Sequence, residues 1–349
     1  MCMNRAGFNR NYIFRIGWFV AFMLLVMTYW WVMTNFVIPD FWDPQFGLKR
    51  DYLLARLKEN PGHPLWLVMG SSRVESDLRL VQVLDRMQKK NAPLIFDFGL
   101  SGSDLFRQYI CLQRLMKDGP KPQLVGIEIS GPLLHNEESY FVNSPNLVVR
   151  ARRDEIDEYC SFSKQPALTR SIWERSRIDP TYKYGMKLPH QTRAFRLIPF
   201  PLVWRLEKHF YDKWGWVTVP PAPISKEEYD RGFKITKSYF GNLPADFKVS
   251  RNNERALRGI LDLCKKSQVR VFLVQMPDSR DLQALYTSQQ SARIALFLQQ
   301  IQKDYDVPII DASSWLTDPA DFTDGSHLNA TGVAKFTPRF VDEILKFSK

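Results

Sequence analysis

From Ile16 to Ile38 no charged residue interrupts the chain, and Phe, Val, Leu, Met and Trp dominate the run. At about 1.5 Å rise per residue such a segment reaches roughly 34 Å as a helix, enough to cross a bilayer core. The pattern then changes. Residues 39–64 carry Pro, Asp and Gly and read as a stalk, with a short helical stretch around Tyr52–Leu57. Five near-continuous apolar runs of strand length follow: Leu65–Met69, Leu94–Phe98, Leu124–Ile129, Val269–Val274 and Val307–Asp311. Between them Val74, Leu78, Val81, Leu84 and Met87 recur at helical spacing, and so do Leu105, Tyr109, Leu112 and Met116. Helices are also expected over roughly Leu282–Lys303 and in a closing segment with Val341 and Leu345. Strands this apolar are buried on both faces, so the alternation predicts an α/β, three-layer fold with a parallel five-stranded sheet.

The rhythm breaks between residues 135 and 250, a stretch rich in Pro, basic residues and aromatics, among them Trp173, Trp204, Trp214 and Trp216. From Arg150 to Trp216 there are fourteen Lys/Arg against eight Asp/Glu. Its segment Phe195–Tyr211 mixes bulky apolar side chains with cations, the pattern of a lid or of a helix lying on a bilayer. The plainer reading is preferred: a helical insertion whose apolar side packs on the sheet and whose charges are solvated. Either way the α/β domain is read as 65–134 plus 251–349, interrupted by a basic aromatic insertion at 135–250.

The flanks of the apolar run give it a direction. Arg5, Arg10 and Arg15 precede it, while Asp40 and Asp43 are the first charges after it. The positive-inside rule leaves residues 1–15 in the cytoplasm, makes 16–38 a single-pass type II anchor, and exports the rest. A cleaved signal peptide is the competing reading, but the run is too long and no small-x-small site follows it before Pro39-Asp40. The net charge of +11 would ordinarily raise nucleic acid as a partner. For an exported domain, anionic lipid head groups or an acidic surface polymer fit better, and no nucleic acid is expected. Cys111, Cys160 and Cys264 are an odd set without metal-like spacing, which leaves one disulfide or three buried thiols. No metal or organic cofactor is expected.

Candidate chemistry sits at two distant places. The first apolar strand runs into Gly70-Ser71-Ser72, and Asp324-Gly325-Ser326-His327 precedes the last helix. In an open parallel sheet ligands gather at the carboxyl ends of strands, where Ser72 falls. A serine hydroxyl is a weak nucleophile that needs a neighbouring base. His327 is the candidate base, and Asp324 would orient its imidazole. Backbone N–H groups of Ser72 and of a glycine in the Gly99-Leu-Ser-Gly102 loop after the second strand would receive a developing oxyanion. Ser71 is the weaker choice of nucleophile. Taken singly, Gly-Ser-Ser is ordinary helix-cap chemistry and Asp-x-x-His an ordinary loop. His63, His135, His190 and His209 are isolated in sequence and are read as structural or solvated.

The order of these blocks resembles the SGNH (GDSL-like) hydrolase superfamily, whose first block carries a serine, its second a glycine and its last a D-x-x-H. Ser72, Gly102, Asp324 and His327 match, and His327-Leu-Asn-Ala-Thr-Gly332 is similar to the closing segment of that superfamily. With an N-terminal span and a basic insertion, the chain looks most like the membrane-anchored branch near the D-alanyl transfer protein DltD and the alginate O-acetylation proteins. Two departures stand out. Ser71 replaces the Asp of the usual G-D-S block, and the Asn of the third block is missing, leaving Glu128 or Ser130 to occupy its space.

The resemblance implies a serine acyltransferase or esterase working on acetyl or D-alanyl groups of a cell-envelope or exported glycan, or on an acylated carrier. It also implies a multipass membrane O-acyltransferase as partner in a bacterial cytoplasmic (inner) membrane. The sequon Asn329-Ala-Thr331 beside His327 points the same way, because a glycan there would crowd the site in a eukaryotic secretory pathway. The rival from outside the enzymes is a non-catalytic partner of SGNH fold that docks to such an acyltransferase.

Overall fold

A computed structural model of the chain describes residues 10–32, 42–83, 85, 92–135, 148–178, 211–240 and 247–348. Leu84, Met87, Trp204, His190, His209, residues 195–210 and residues 33–41 lie outside the described residues.

Helix α1 (Arg10–Val32) is 23 residues long. Its Tyr12–Tyr29 window is long and apolar enough to cross a membrane, and none of that window is buried against the rest of the chain. Helix α2 (Pro44–Glu59) corrects the stalk expectation. It runs for 16 residues, and Phe46, Lys49 and Leu53 have no exposed surface. A lysine of this segment is paired inside: Lys49 Nζ lies 3.5 Å from Asp97 and bonds the Gly215 carbonyl.

The sheet begins with β1 (Leu65–Gly70), followed by α3 (Ser72–Asp77), β2 (Leu94–Gly99), α4 (Leu105–Asp118), β3 (Leu124–Glu128) and α5 (Gly131–His135). Helices α6 (Ile156–Phe162), α7 (Pro166–Ile178) and α8 (Lys226–Phe240) fall within 135–250, the stretch read as an insertion. The sheet resumes with α9 (Arg251–Lys266), β4 (Arg270–Gln275), α10 (Arg280–Gln283), α11 (Ser288–Tyr305), β5 (Ile309–Asp311) and α12 (Ala330–Leu345). The five strands are parallel in the order β2-β1-β3-β4-β5. All of β1, β2 and β3 is buried, as their unbroken apolar sequence requires. Each fully buried Leu, Phe or Ile there contributes about 1.5–3 kcal/mol.

Right-handed crossovers decide the layers. The step from β1 to β2 runs one way along the sheet and the steps to β3, β4 and β5 run the other way. Helix α3 therefore covers one face, where α12 packs beside it, and α4 and α9 pack together on the opposite face. The helix expected through Val74–Met87 is interrupted within the described residues. α3 stops at Asp77, and a 3-10 turn takes over at Leu80–Val83. Likewise the expected Leu282–Lys303 helix is broken, because Thr287 opens α11 with a capping box closed by Gln290. Cys111, Cys160 and Cys264 are free, buried thiols.

A buried charge cluster joins α2, α4 and the insertion. Asp43 meets Arg107 at 3.2 Å and Arg114 at 2.8 Å, and Arg114 meets Glu155 at 2.7 Å. Burial alone would raise the Asp43 carboxyl, but Arg107, Arg150 and Arg114 together hold it well below the usual carboxylate range.

Candidate active site

β1 and β2 end side by side, Gly70 opposite Gly99. A Cβ at Gly99 would lie 2.3 Å from the Glu75 nitrogen, and one at Gly70 would lie 2.4 Å from Val74 Cγ2. Two hydrogen side chains thus let α3 settle directly on the strand ends. Ser71 caps the helix by accepting from the Arg73 N–H at 3.2 Å. Its own N–H and hydroxyl donate to Glu128 at 2.6 and 3.1 Å. Ser71 is therefore consumed as a cap, and Ser72, half-buried at the first helical position, is the hydroxyl that the cap leaves unused.

Asp324 and His327 lie on the loop between β5 and α12. The fold brings them to Ser72 across 255 residues: Ser72 Oγ is 2.8 Å from His327 Nε2, and His327 Nδ1 is 2.8 Å from Asp324 Oδ2. With Nδ1–H donating to the carboxylate, Nε2 is left to accept the Ser72 hydroxyl proton. The second Asp324 oxygen, Oδ1, accepts from the N–H of His327 at 2.8 Å, and from the N–H and hydroxyl of Ser326 at 2.9 and 3.0 Å.

These contacts set the charges. Burial pushes the Asp324 carboxyl up, but bonding and attraction to His327, with the two backbone donors, hold it well below its ordinary value. For His327, burial pushes down, and Asp324 and then Asp77 outweigh it, so the imidazole titrates above its ordinary value. Asp77 is buried beneath the loop, and that burial raises it to about 7 against the opposing pull of His327, Ser76 and Arg73.

The other expected residues fall differently. Gly102 sits on an exposed turn after β2 with φ +69, outside the Ser–His–Asp chain of hydrogen bonds. That loop runs alongside β1, since the Leu100 N–H donates to the Gly70 carbonyl at 2.9 Å. Glu128 does not stand in for the missing amide donor: both its oxygens accept from Ser71. Ser130 Oγ accepts from the Leu133 N–H at 3.4 Å at the start of α5. His63 and His135 bond the Ala92 and Lys248 carbonyls at 2.8 and 3.0 Å.

Three contributors carry no signal in the hydrophobic pattern. Arg73 is 3% exposed and Asp77 fully buried, and both grip the His327 loop. From the insertion, α8 packs on the same loop, where a Cβ at Gly232 would lie 2.8 Å from Asp324 Cβ.

No protein-family model matches the chain, and no curated protein matches it in sequence. Similar solved structures include a proposed acylhydrolase from Bacteroides fragilis NCTC 9343, 11% identical with a TM-score of 0.37, covering 84% of this chain and 95% of the other. Another is a GDSL-like lipase from Bacteroides thetaiotaomicron VPI-5482, 11% identical with a TM-score of 0.36, covering 86% of this chain and 98% of the other. Likeness of that degree decides nothing about chemistry.

Proposed function

We propose that this protein is a membrane-anchored serine acyltransferase or esterase of SGNH (GDSL-like) type, with its domain outside the cytoplasm. Its substrate would be an O-acyl group, acetyl or D-alanyl, on a cell-envelope or exported glycan or an acylated carrier. One observation carries the reading: the unbroken line from Ser72 Oγ through the His327 ring to Asp324, with both hydrogen bonds at 2.8 Å. A serine, a base and an orienting carboxylate in that geometry are what acyl transfer requires.

Ser72 Oγ attacks the acyl carbonyl carbon while His327 Nε2 takes the hydroxyl proton. The ester C–O bond then breaks, His327 returns the proton to the departing alcohol, and the acyl group stays on Ser72. A sugar hydroxyl or water next gives its proton to His327 and attacks, releasing Ser72. Asp324 stabilises the imidazolium at both stages. The Ser72 N–H, in the first helical turn where no intrahelical carbonyl is available to it, and the Gly102 N–H are the proposed oxyanion donors. The proposed anchor orientation rests on Arg5, Arg10 and Arg15, which precede the uncharged run from Ile16, and a multipass O-acyltransferase is the proposed membrane partner.

The test is labelling of the full-length protein by a fluorophosphonate probe. Wild type is expected to label and Ser72→Ala not to. Failure of wild type to label would overturn the enzymatic reading and favour a non-catalytic partner of a membrane acyltransferase. Glycan acylation in cells carrying only Ser72→Ala then separates the two roles.

A further inference from the structure

We propose that Arg73 and Asp77 are a pair of positioning residues: from one face of the serine-bearing helix they grip the backbone immediately before and after His327 and so set the Ser72–His327 contact. The proposal rests on the serine-nucleophile reading above and adds to it the device that holds two distant segments in register.

Residues 73 and 77 are four apart, so they share a face of α3. Arg73 Nε donates to the Ser326 carbonyl at 3.1 Å, one residue before His327. Asp77 Oδ1 accepts from the Leu328 N–H at 3.1 Å, one residue after it. The imidazole is thus bracketed by a donor and an acceptor from the helix that begins with its proposed partner. No sheet ladder does this work, because α3 and the loop are not strands.

Each grip is itself secured. The Arg73 guanidinium also bonds Asp278 Oδ1 at 2.7 Å and the Pro277 carbonyl, tying in the segment after β4. On the other side, the Ser76 hydroxyl donates to Asp77 Oδ1 at 2.7 Å, and Thr337 Oγ1 on α12 donates to the Asp77 carbonyl at 3.3 Å. An exposed arginine beside a serine would be unremarkable. At 3% and 0% exposure, these two ionisable residues are held where desolvation is costly, and the contacts they make are what keeps them there.

The charges facing His327 are Asp324 on its own loop and Asp77 and Arg73 on α3. Arg73 disfavours the imidazolium and Asp77 favours it. A positioning pair therefore has a signature that simple loss of packing lacks. Removing one charge moves the His327 titration up, and removing the other moves it down.

The experiment uses the full-length protein in detergent, with two readouts: the rate of fluorophosphonate labelling at Ser72, and the His327 titration followed by NMR with 15N-histidine, the chain having only five histidines. Arg73→Met is expected to slow labelling about 100-fold, the scale of a misplacement of about 1 Å, and to raise the His327 titration. Arg73→Lys keeps the charge and loses the fork, so labelling slows while the titration stays near wild type. Asp77→Asn keeps an acceptor oxygen and lowers the titration. The two conservative variants carry the test if Arg73→Met does not fold. Labelling within about threefold of wild type in Arg73→Lys and Arg73→Met, with His327 titrating unchanged in all variants, would overturn the proposal. A wild type that fails to label overturns the nucleophile reading instead, and the histidine titrations still decide the bracket.

Discussion

At the scale of single residues, protonation of His327 governs the site. Its pKa is raised, and only the neutral ring accepts the Ser72 proton, so labelling should rise with pH along an acidic limb centred above 6.5. Stability runs the other way. A raised histidine contributes fully below its unfolded value of about 6.5 and loses that contribution as pH climbs through the folded value. Asp324, being depressed, contributes above about 3.8 and loses it as pH falls further. Thermal melts should therefore show the pair's contribution at its fullest between about pH 4 and 6.5, below the range where labelling peaks. Asp324→Asn should remove that feature and slow labelling by about 10³- to 10⁴-fold. Equal melts across that window in wild type and Asp324→Asn would count against the assigned charges. Ser72, Asp324 and His327 were legible because a hydroxyl at a strand end and a D-x-x-H loop each have a compact sequence form. Arg73 and Asp77 were not. Their partners on the His327 loop lie more than 250 residues away, and a buried brace leaves no mark in a hydrophobic pattern.

At the scale of elements, β1, β2 and β3 stood out because strands buried on both faces are written as continuous apolar runs, and β4 and β5 carry the same apolar signal though their ends are partly exposed. Helices were harder to bound. The break before α11 is present in Thr287-Ser-Gln-Gln290, whose capping box outweighs the periodicity running through it. α2 was hidden for a different reason: Pro, Asp and Gly made its surroundings read as a stalk around a short helix at Tyr52–Leu57, yet its charged Lys49 and Arg56 are buried along with Phe46 and Leu53. The contact between α8 and the Asp324 loop gives a sharp prediction. A methyl at Gly232 would stand 2.8 Å from Asp324 Cβ and 3.1 Å from the Thr323 carbonyl. Gly232→Ala gains up to about 1 kcal/mol in helix propensity, but overpacking of this kind costs about 1–3 kcal/mol. Net destabilisation in urea, with slower Ser72 labelling, is the expected outcome. A variant as stable and as reactive as wild type would show that α8 merely lies near the loop.

At the scale of the whole molecule, the domain does not begin at β1. Asp43 on the approach to α2 is locked to Arg107 and Arg114, and Phe46 stacks edge-on against Phe98 of β2 with ring centroids 5.6 Å apart. A fragment starting at Trp42 should fold to a cooperative, soluble domain that labels at Ser72. One starting at Leu65 should not, since it exposes the Phe46 and Leu53 sites and strands Asp97. Asp43→Ala in the longer fragment should cost about 3–5 kcal/mol, as removal of one partner from a buried ion cluster does, read as a lowered urea midpoint.

The wedging of α2 also limits where the proposed activity can work. With that helix cemented into the core, only ten links of chain, from Val32 to Trp42, separate the end of α1 from the domain. A chain that short spans at most about 36 Å when fully stretched. Under the proposed topology the serine patrols a thin shell above the lipid, and an acceptor polymer has to come to it, delivered at the bilayer rather than encountered farther out in the envelope.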